Sequence, residues 1–131
     1  MTWSELFGVF LLSHLVGDFL LQTGWQATMK KHGLGRDPEA RRALVWHGLI
    51  YTLAFVPALV WIGSESGVPT AVGIGALILV PHIIIDDGTL VASWVHHVKH
   101  VEGTPTQVVR LGVDQTLHIL TLAAVALLAT S

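Results

Sequence analysis

No cysteine occurs in the chain. That removes disulfides, thiolate-held zinc and thiol nucleophiles at once, and it leaves the redox compartment unread. Charge is scarce as well: Asp, Glu, Lys and Arg make up 12% of the 131 residues, against roughly 25% in an average soluble domain. The net charge of −2 provides no basic surface of the kind nucleic-acid binding needs, so nucleic acid is not an expected partner. The first ten residues, MTWSELFGVF, hold no Lys or Arg, and no small-residue cleavage site follows their apolar run. The first hydrophobic segment is therefore expected to be retained rather than removed as a signal peptide.

What the chain has instead is hydrocarbon. Hydrophobic residues make up 52% and the mean hydropathy is +0.64, which points to lipid as the main solvent. The length allows a single domain. A bilayer core takes roughly 20 mostly apolar residues per helix, and four segments qualify: about 3–22, 43–63, 69–91 and 111–129. Pro57 and Pro81 are kink candidates inside the second and third. The expected fold is an all-α, polytopic four-helix membrane bundle, one integral membrane domain over 1–131.

Basic residues orient it. Lys30, Lys31, Arg36, Arg41 and Arg42 lie between the first two spans, Lys99 and Arg110 between the last two, and the GSESGVP loop has none. The positive-inside bias predicts cytoplasmic loops 23–42 and 92–110, both termini outside, and residence in the inner (plasma) membrane. Trp3 and Trp61 then fall at the outer interface, and Trp25, Trp46 and Trp94 at the inner one.

Against this apolar background the ionisable residues stand out. In LLSHLVGDFLLQTGW (residues 11–25), His14, Asp18 and Gln22 recur every four residues, which stacks them on one helix face. The second span carries His47, the third His82, Asp86 and Asp87, the fourth Asp114 and His118. With Gln22, Leu90 and Arg110 taken as inner ends, His14, His82 and His118 each lie eight residues in, roughly 12 Å at 1.5 Å per residue. Asp18, Asp86 and Asp114 each lie one turn nearer the cytoplasm. The spans thus deliver their polar groups to one depth in the inner leaflet. SHLVGDF and PHIIIDD also share His-x-x-x-Asp in the same direction, as a duplicated helical hairpin about an axis along the membrane normal would.

Ionised carboxylates in hydrocarbon cost at least about 2.5–3.5 kcal/mol each on insertion scales, so something must compensate them. Protonation, Arg110 one turn before Asp114, or a bound cation would serve. Neutral nitrogens and anionic oxygens on rigid helix faces suit a divalent metal; zinc is favoured, with manganese or iron admissible. The expected ligands are His14, Asp18, His47, His82, Asp86, Asp114 and His118, with Gln22 and Gln115 orienting them. The plainer alternative is packing: a lone histidine such as His47 usually hydrogen-bonds a neighbour, and an Asp–His pair within one helix can satisfy itself. Asp87 reads as interfacial, with Gly88 loosening the helix. His96, His97 and His100 read as an interfacial turn facing headgroups, and His32 as solvated.

These stretches resemble a family of small bacterial and phage-encoded integral membrane proteins catalogued as a domain of unknown function. The resemblance rests on SHLVGDFLLQTGWQATMKK, WHGLIYTL, PHIIIDD and RLGVDQTLHIL. It runs in order over nearly the whole chain as His-x-x-x-Asp-Phe-x-x-Gln, a histidine, His-x-x-x-Asp and Asp-Gln-x-x-His. It implies the same motif positions: His14, Asp18, Gln22, His47, His82, Asp86, Asp114, Gln115 and His118. Members often carry a lysine three or four residues after the third-span aspartate, where this chain reads DDGTLV.

The expected function is that of a metal-dependent hydrolase or transferase at the cytoplasmic face. One of Asp18, Asp86 and Asp114 would act as general base for a water activated by the metal. Arg110 and Tyr51 would hold a phosphate or carbonyl oxygen of a lipid-like substrate drawn from the membrane. A cation or proton transporter or channel subunit is the second expectation, since buried Asp/His chains also mark ion paths. LAFVPALVWI and LTLAAVALLAT offer almost no polar group, so a continuous path would have to run between protomers of a homo-oligomer. The third is a non-catalytic membrane adaptor whose polar cluster only locks the bundle.

Overall fold

A computed structural model describes residues 1–101 and 106–131, and within them the chain is helical without a strand. The long helices are α1 (Trp3–Leu15), α3 (Pro38–Ser66), α4 (Val68–Asp86) and α6 (Thr106–Ala129). The short ones are α2 (Gly24–Met29) and α5 (Thr89–Trp94). α1 runs on through a π-helical turn, Val16–Leu20, and α5 through another, Val95–Lys99. Four helical segments are long and apolar enough to cross a membrane: Trp3–Leu20, Pro38–Ser66, Val68–Asp86 and Thr106–Ala129.

The helices begin where side chains can take up their orphan amides. Thr2 and Glu5 close a capping box on α1, and Thr23 and Gln26 close one on α2. Asp37 accepts from the Glu39 amide at 2.9 Å and precedes Pro38 at the first position of α3.

α1 packs against α3 and α6, and α4 packs against the same two. The long helices therefore form a square in which α1 is diagonal to α4 and α3 to α6. That is the placement a duplicated hairpin would produce. Each helix faces the bundle axis with residues about four apart: Leu6, Phe10, His14 and Asp18; Ile74, Ile78, His82 and Asp86; Asp114, His118, Leu122 and Ala126. Toward the GSESGVP end, Leu6, Phe10, Phe55, Ala58, Ile62, Ile74, Ile78, Leu122, Val125 and Ala126 pack into one apolar core. Toward the Lys/Arg-rich end the same stripes turn polar. The outside is as apolar as the core, with Leu12, Leu20, Leu53, Val60 and Val72 each more than 60% exposed. Such a surface suits hydrocarbon and not water.

Three helix ends differ from the expected span limits. The third span ends at Asp86, not near residue 91, because Gly88 adopts φ +81°; a left-handed residue cannot continue a right-handed helix. Leu90 therefore belongs to α5, and Asp86 is the last residue of its span. α3 starts at Pro38, ahead of the expected span start at 43, and its 29 residues extend about 43 Å, beyond the roughly 30 Å of a bilayer core. The fourth begins at Thr106 rather than 111. The connection expected over 23–42 contains α2, and the one over 92–110 includes residues 102–105, which lie outside the described residues.

Candidate metal centre

The seam changes from apolar to polar one turn beyond Phe10, Ile78 and Leu122. Asp18 is set by the π turn, in which the Leu21 amide reaches back to the Val16 carbonyl at 2.9 Å. Such turns recur at functional sites because they re-aim a side chain. Gly17 makes the turn fit: a Cβ there would stand 2.7 Å from Tyr51 Cδ2. The missing side chain lets α1 close on the Tyr51 ring.

Four side chains converge from three helices: Asp18, His47, His82 and Asp86. All are buried. His47 Nε2 lies 3.2 Å from Asp18 Oδ1, 2.9 Å from Asp86 Oδ2 and 3.1 Å from His82 Nε2. His82 Nε2 lies 3.2 Å from Asp86 Oδ2 and 3.9 Å from Asp18 Oδ1. Donors about 2.0–2.1 Å from a tetrahedral ion stand roughly 3.3–3.4 Å from one another, and these separations bracket that value. Two imidazole nitrogens and two carboxylate oxygens suit zinc, manganese or iron(II). The residues present fit a divalent metal.

A second group shares one member. Asp86, Asp114 and His118 also bring one donor atom each within 4.8 Å of the others. His118 Nε2 is 3.7 Å from Asp86 Oδ1, the oxygen not used by the first group.

Around these donors stand groups that hold them. The Gln22 amide lies 3.2 Å from the His47 ring nitrogens. Gln115 accepts from His14 Nε2 at 3.0 Å and donates to Asp114 Oδ2 at 3.2 Å. His14 Nδ1 meets the Tyr51 hydroxyl at 3.1 Å. Both ring nitrogens of His14 are thereby engaged, and His14 stands beside the two donor groups rather than in them.

Tyr51 is corrected in place. It was expected to face a substrate, but only 1% of it is exposed and its ring stacks on His82 at 3.4 Å between centroids. Gly17 is what admits it to the interior. Arg110, one of three compensations offered for the carboxylates, is exposed, and the cation nearest Asp114 Oδ1 is Lys31 at 3.7 Å. Arg110 stands instead on the wall of a cavity.

Lys30 is the residue that sequence reasoning missed. Counted there with a solvated basic loop, it is 6% exposed and its Nζ donates to Asp86 Oδ2 at 2.7 Å. The signal was present in Thr23-x-x-Gln26, a capping box that announces α2 and places Lys30 at its end. Lys31 donates to the Asp86 carbonyl at 3.3 Å, its stem lying over Gly88. The basic groups that DDGTLV lacks thus come from the end of α2. Asp87, read as interfacial, is buried among protein groups and accepts from the Leu34 amide at 2.9 Å and from the Thr89 hydroxyl. Burial alone would raise its pKa, but these donors hold it below the usual carboxylate range. His32, His96 and His97 are exposed, as read from the sequence.

A cavity of about 450 Å³ adjoins the cluster at the Lys/Arg-rich end. Asp18, Gln22, Asp114 and Gln115 line its cluster side; Lys31, His32 and Arg110 add basic groups; Phe19, Val91 and Leu111 add apolar ones.

The family described as "Protein of unknown function (DUF3307)" matches residues 6–131. No curated protein and no solved structure matches the chain.

Proposed function

The chain belongs to the DUF3307 family, and on that footing we propose that it is a membrane metalloprotein working as a metal-dependent hydrolase or transferase. Its substrate is a lipid-like or membrane-proximal molecule, met at the cytoplasmic face of the inner (plasma) membrane. The orientation follows the basic residues: loops 23–42 and 92–110 inside, both termini outside. One observation carries the reading. Asp18, His47, His82 and Asp86, from three helices, crowd their donor atoms to 2.9–3.9 Å beside a 450 Å³ cavity.

A divalent metal, zinc first and manganese or iron as alternatives, would supply Lewis acidity to a bound oxygen. The chain's own residues do the rest. His47 and His82 present neutral nitrogens, with Gln22 orienting the His47 ring. Asp18 and Asp114, on the cavity wall, are the carboxylates placed to take a proton. Lys31 and Arg110 attract the oxygen-rich end of a substrate. Phe19, Val91 and Leu111 receive its hydrocarbon.

The transporter reading is weaker. Past His14, His82 and His118 the bundle axis is filled by Phe10, Phe55, Ile78 and Leu122, and a continuous polar route would need a second protomer. The adaptor reading predicts a different outcome in the test below.

Elemental analysis of detergent-purified protein prepared without chelator is expected to find at least one divalent metal per chain, and less in His47→Ala. Metal well below one per chain in the wild type refutes the proposal. Proteoliposomes in an inner-membrane lipid extract, followed by mass spectrometry, test the chemistry. Metal-dependent turnover of a lipid species, abolished by Asp18→Asn, is expected. An adaptor would leave the lipids unchanged in both proteins.

A further inference from the structure

The four-donor group uses one oxygen of Asp86 and leaves the other facing α6. We infer that a second divalent cation binds there, between Asp86 Oδ1, Asp114 and His118, so that the Asp86 carboxylate bridges two ions. The inference rests on the metalloprotein reading above.

The argument is one of donors and acceptors. His118 Nδ1 lies 2.9 Å from the Asp114 carbonyl of its own helix, which can only accept. Nδ1 therefore carries the proton, and Nε2 presents a lone pair. His118 is 2% exposed, Asp86 wholly buried, and His118 Nε2, Asp86 Oδ1 and Asp114 Oδ1 have no hydrogen-bond partner. Three residues thus bring acceptors together with no hydrogen-bond donor to these atoms, Lys31 Nζ standing 3.7 Å from Asp114 Oδ1. Unpartnered acceptors at such burial are costly. A doubly protonated His118 would pair its charge with Asp86 Oδ1 at 3.7 Å, too long for a hydrogen bond, and would leave Asp114 Oδ1 without a hydrogen-bond donor. A cation satisfies all three together.

The two ions would differ in kind. Four protein donors close a tetrahedral site, as in structural zinc centres; three leave a position open, as in catalytic ones. The second site has three, and Asp114 borders the cavity. The second ion, beside the cavity, then adds a position open to a substrate oxygen next to the four-donor group. Asp18 Oδ2 stays outside the four-donor group, 3.6 Å from His14 Nδ1.

The test is zinc stoichiometry of stripped and reloaded full-length protein in detergent. Wild type is expected to bind two ions per chain. His118→Ala, and the near-isosteric Asp114→Asn, should each retain one, with at least a tenfold loss of affinity for the other. The wild-type protein loaded with cobalt(II) should change its visible absorption on adding azide, and Asp114→Asn should not. Two ions retained at wild-type affinity in both variants would overturn the inference. So would a single wild-type ion that leaves with His82→Ala but not with His118→Ala, an outcome that spares the metalloprotein reading. No ion in the wild type overturns both.

Discussion

Replacing Lys30 by methionine isolates the electrostatics of the centre. Its Nζ and Asp86 Oδ2 are 2.7 Å apart, with side chains 7% and 1% exposed. At an effective dielectric constant of about 20, opposite unit charges at that distance attract by roughly 6 kcal/mol before desolvation is counted. Removing one partner of a buried pair strands the other, and that typically costs about 3–5 kcal/mol. Methionine keeps the length and apolar stem of lysine, so the charge is the main change. Lys31→Met is the internal control. Its Nζ is 3.7 Å from Asp114 Oδ1, but its side chain is 44% exposed, and pairs of that kind contribute about 0–1 kcal/mol. Metal-free protein in detergent, melted under circular dichroism, should therefore lose about 3–5 °C per kcal/mol on soluble-domain scaling. That amounts to a fall of roughly 10–20 °C for Lys30→Met and only a few degrees for Lys31→Met. Zinc supplies two positive charges to the same carboxylate, so it should raise the melting temperature of Lys30→Met more than that of the wild type. If the two variants melt within about 0.5 kcal/mol of each other, Asp86 is not an ionised carboxylate held by Lys30, and the compensation argued for the cluster fails.

Gly17→Ala would place a methyl group 2.7 Å from Tyr51 Cδ2, and overpacking of that kind costs about 1–3 kcal/mol; the melting temperature should fall, and Tyr51→Leu in the same chain should recover part of the loss. Asp87→Asn should weaken the tie to loop 30–35 by about 1 kcal/mol, read as faster hydrogen exchange at the Leu34 amide. The wild-type Asp87 pKa is depressed by folding, so its contribution is present above the ordinary carboxylate pKa of about 3.9 and is lost as pH falls through the lower folded value; the variant should lack that acid-side loss. Chelator should lower the melting temperature of metal-loaded protein, by about 2.7 kcal/mol per site where free ion had stood at 100 times its dissociation constant, and it should lower that of His47→Ala by less. Gly67→Cys should react with a membrane-impermeant thiol reagent applied from outside; reaction only from the cytoplasm would reverse the proposed orientation.

Much of this was legible before any coordinates. Four apolar runs separated by polar breaks read as helices able to span a membrane, because a backbone in lipid must satisfy its own hydrogen bonds and helices do so locally. The four-residue spacing of His14 with Asp18, His82 with Asp86 and Asp114 with His118 is likewise local, since helical geometry alone puts each pair on one face. What periodicity could not supply was everything that depends on a neighbour. His47 reads alone as a packing histidine, and only its meeting with Asp18, His82 and Asp86 places it at the centre. Tyr51 reads as a substrate group until the bare backbone of Gly17 draws it inside. Lys30 reads as one more basic loop residue until α2 folds it back onto Asp86, while Arg110 stands on the cavity wall. The sequence by itself determined the spans, the stripes and their end of the bundle, because those follow from hydrophobicity and helix pitch within one segment. Which nitrogens and oxygens share a centre, and which cation balances them, was decided only by the tertiary structure, because ligation and charge pairing act over about 3 Å between residues far apart in the chain.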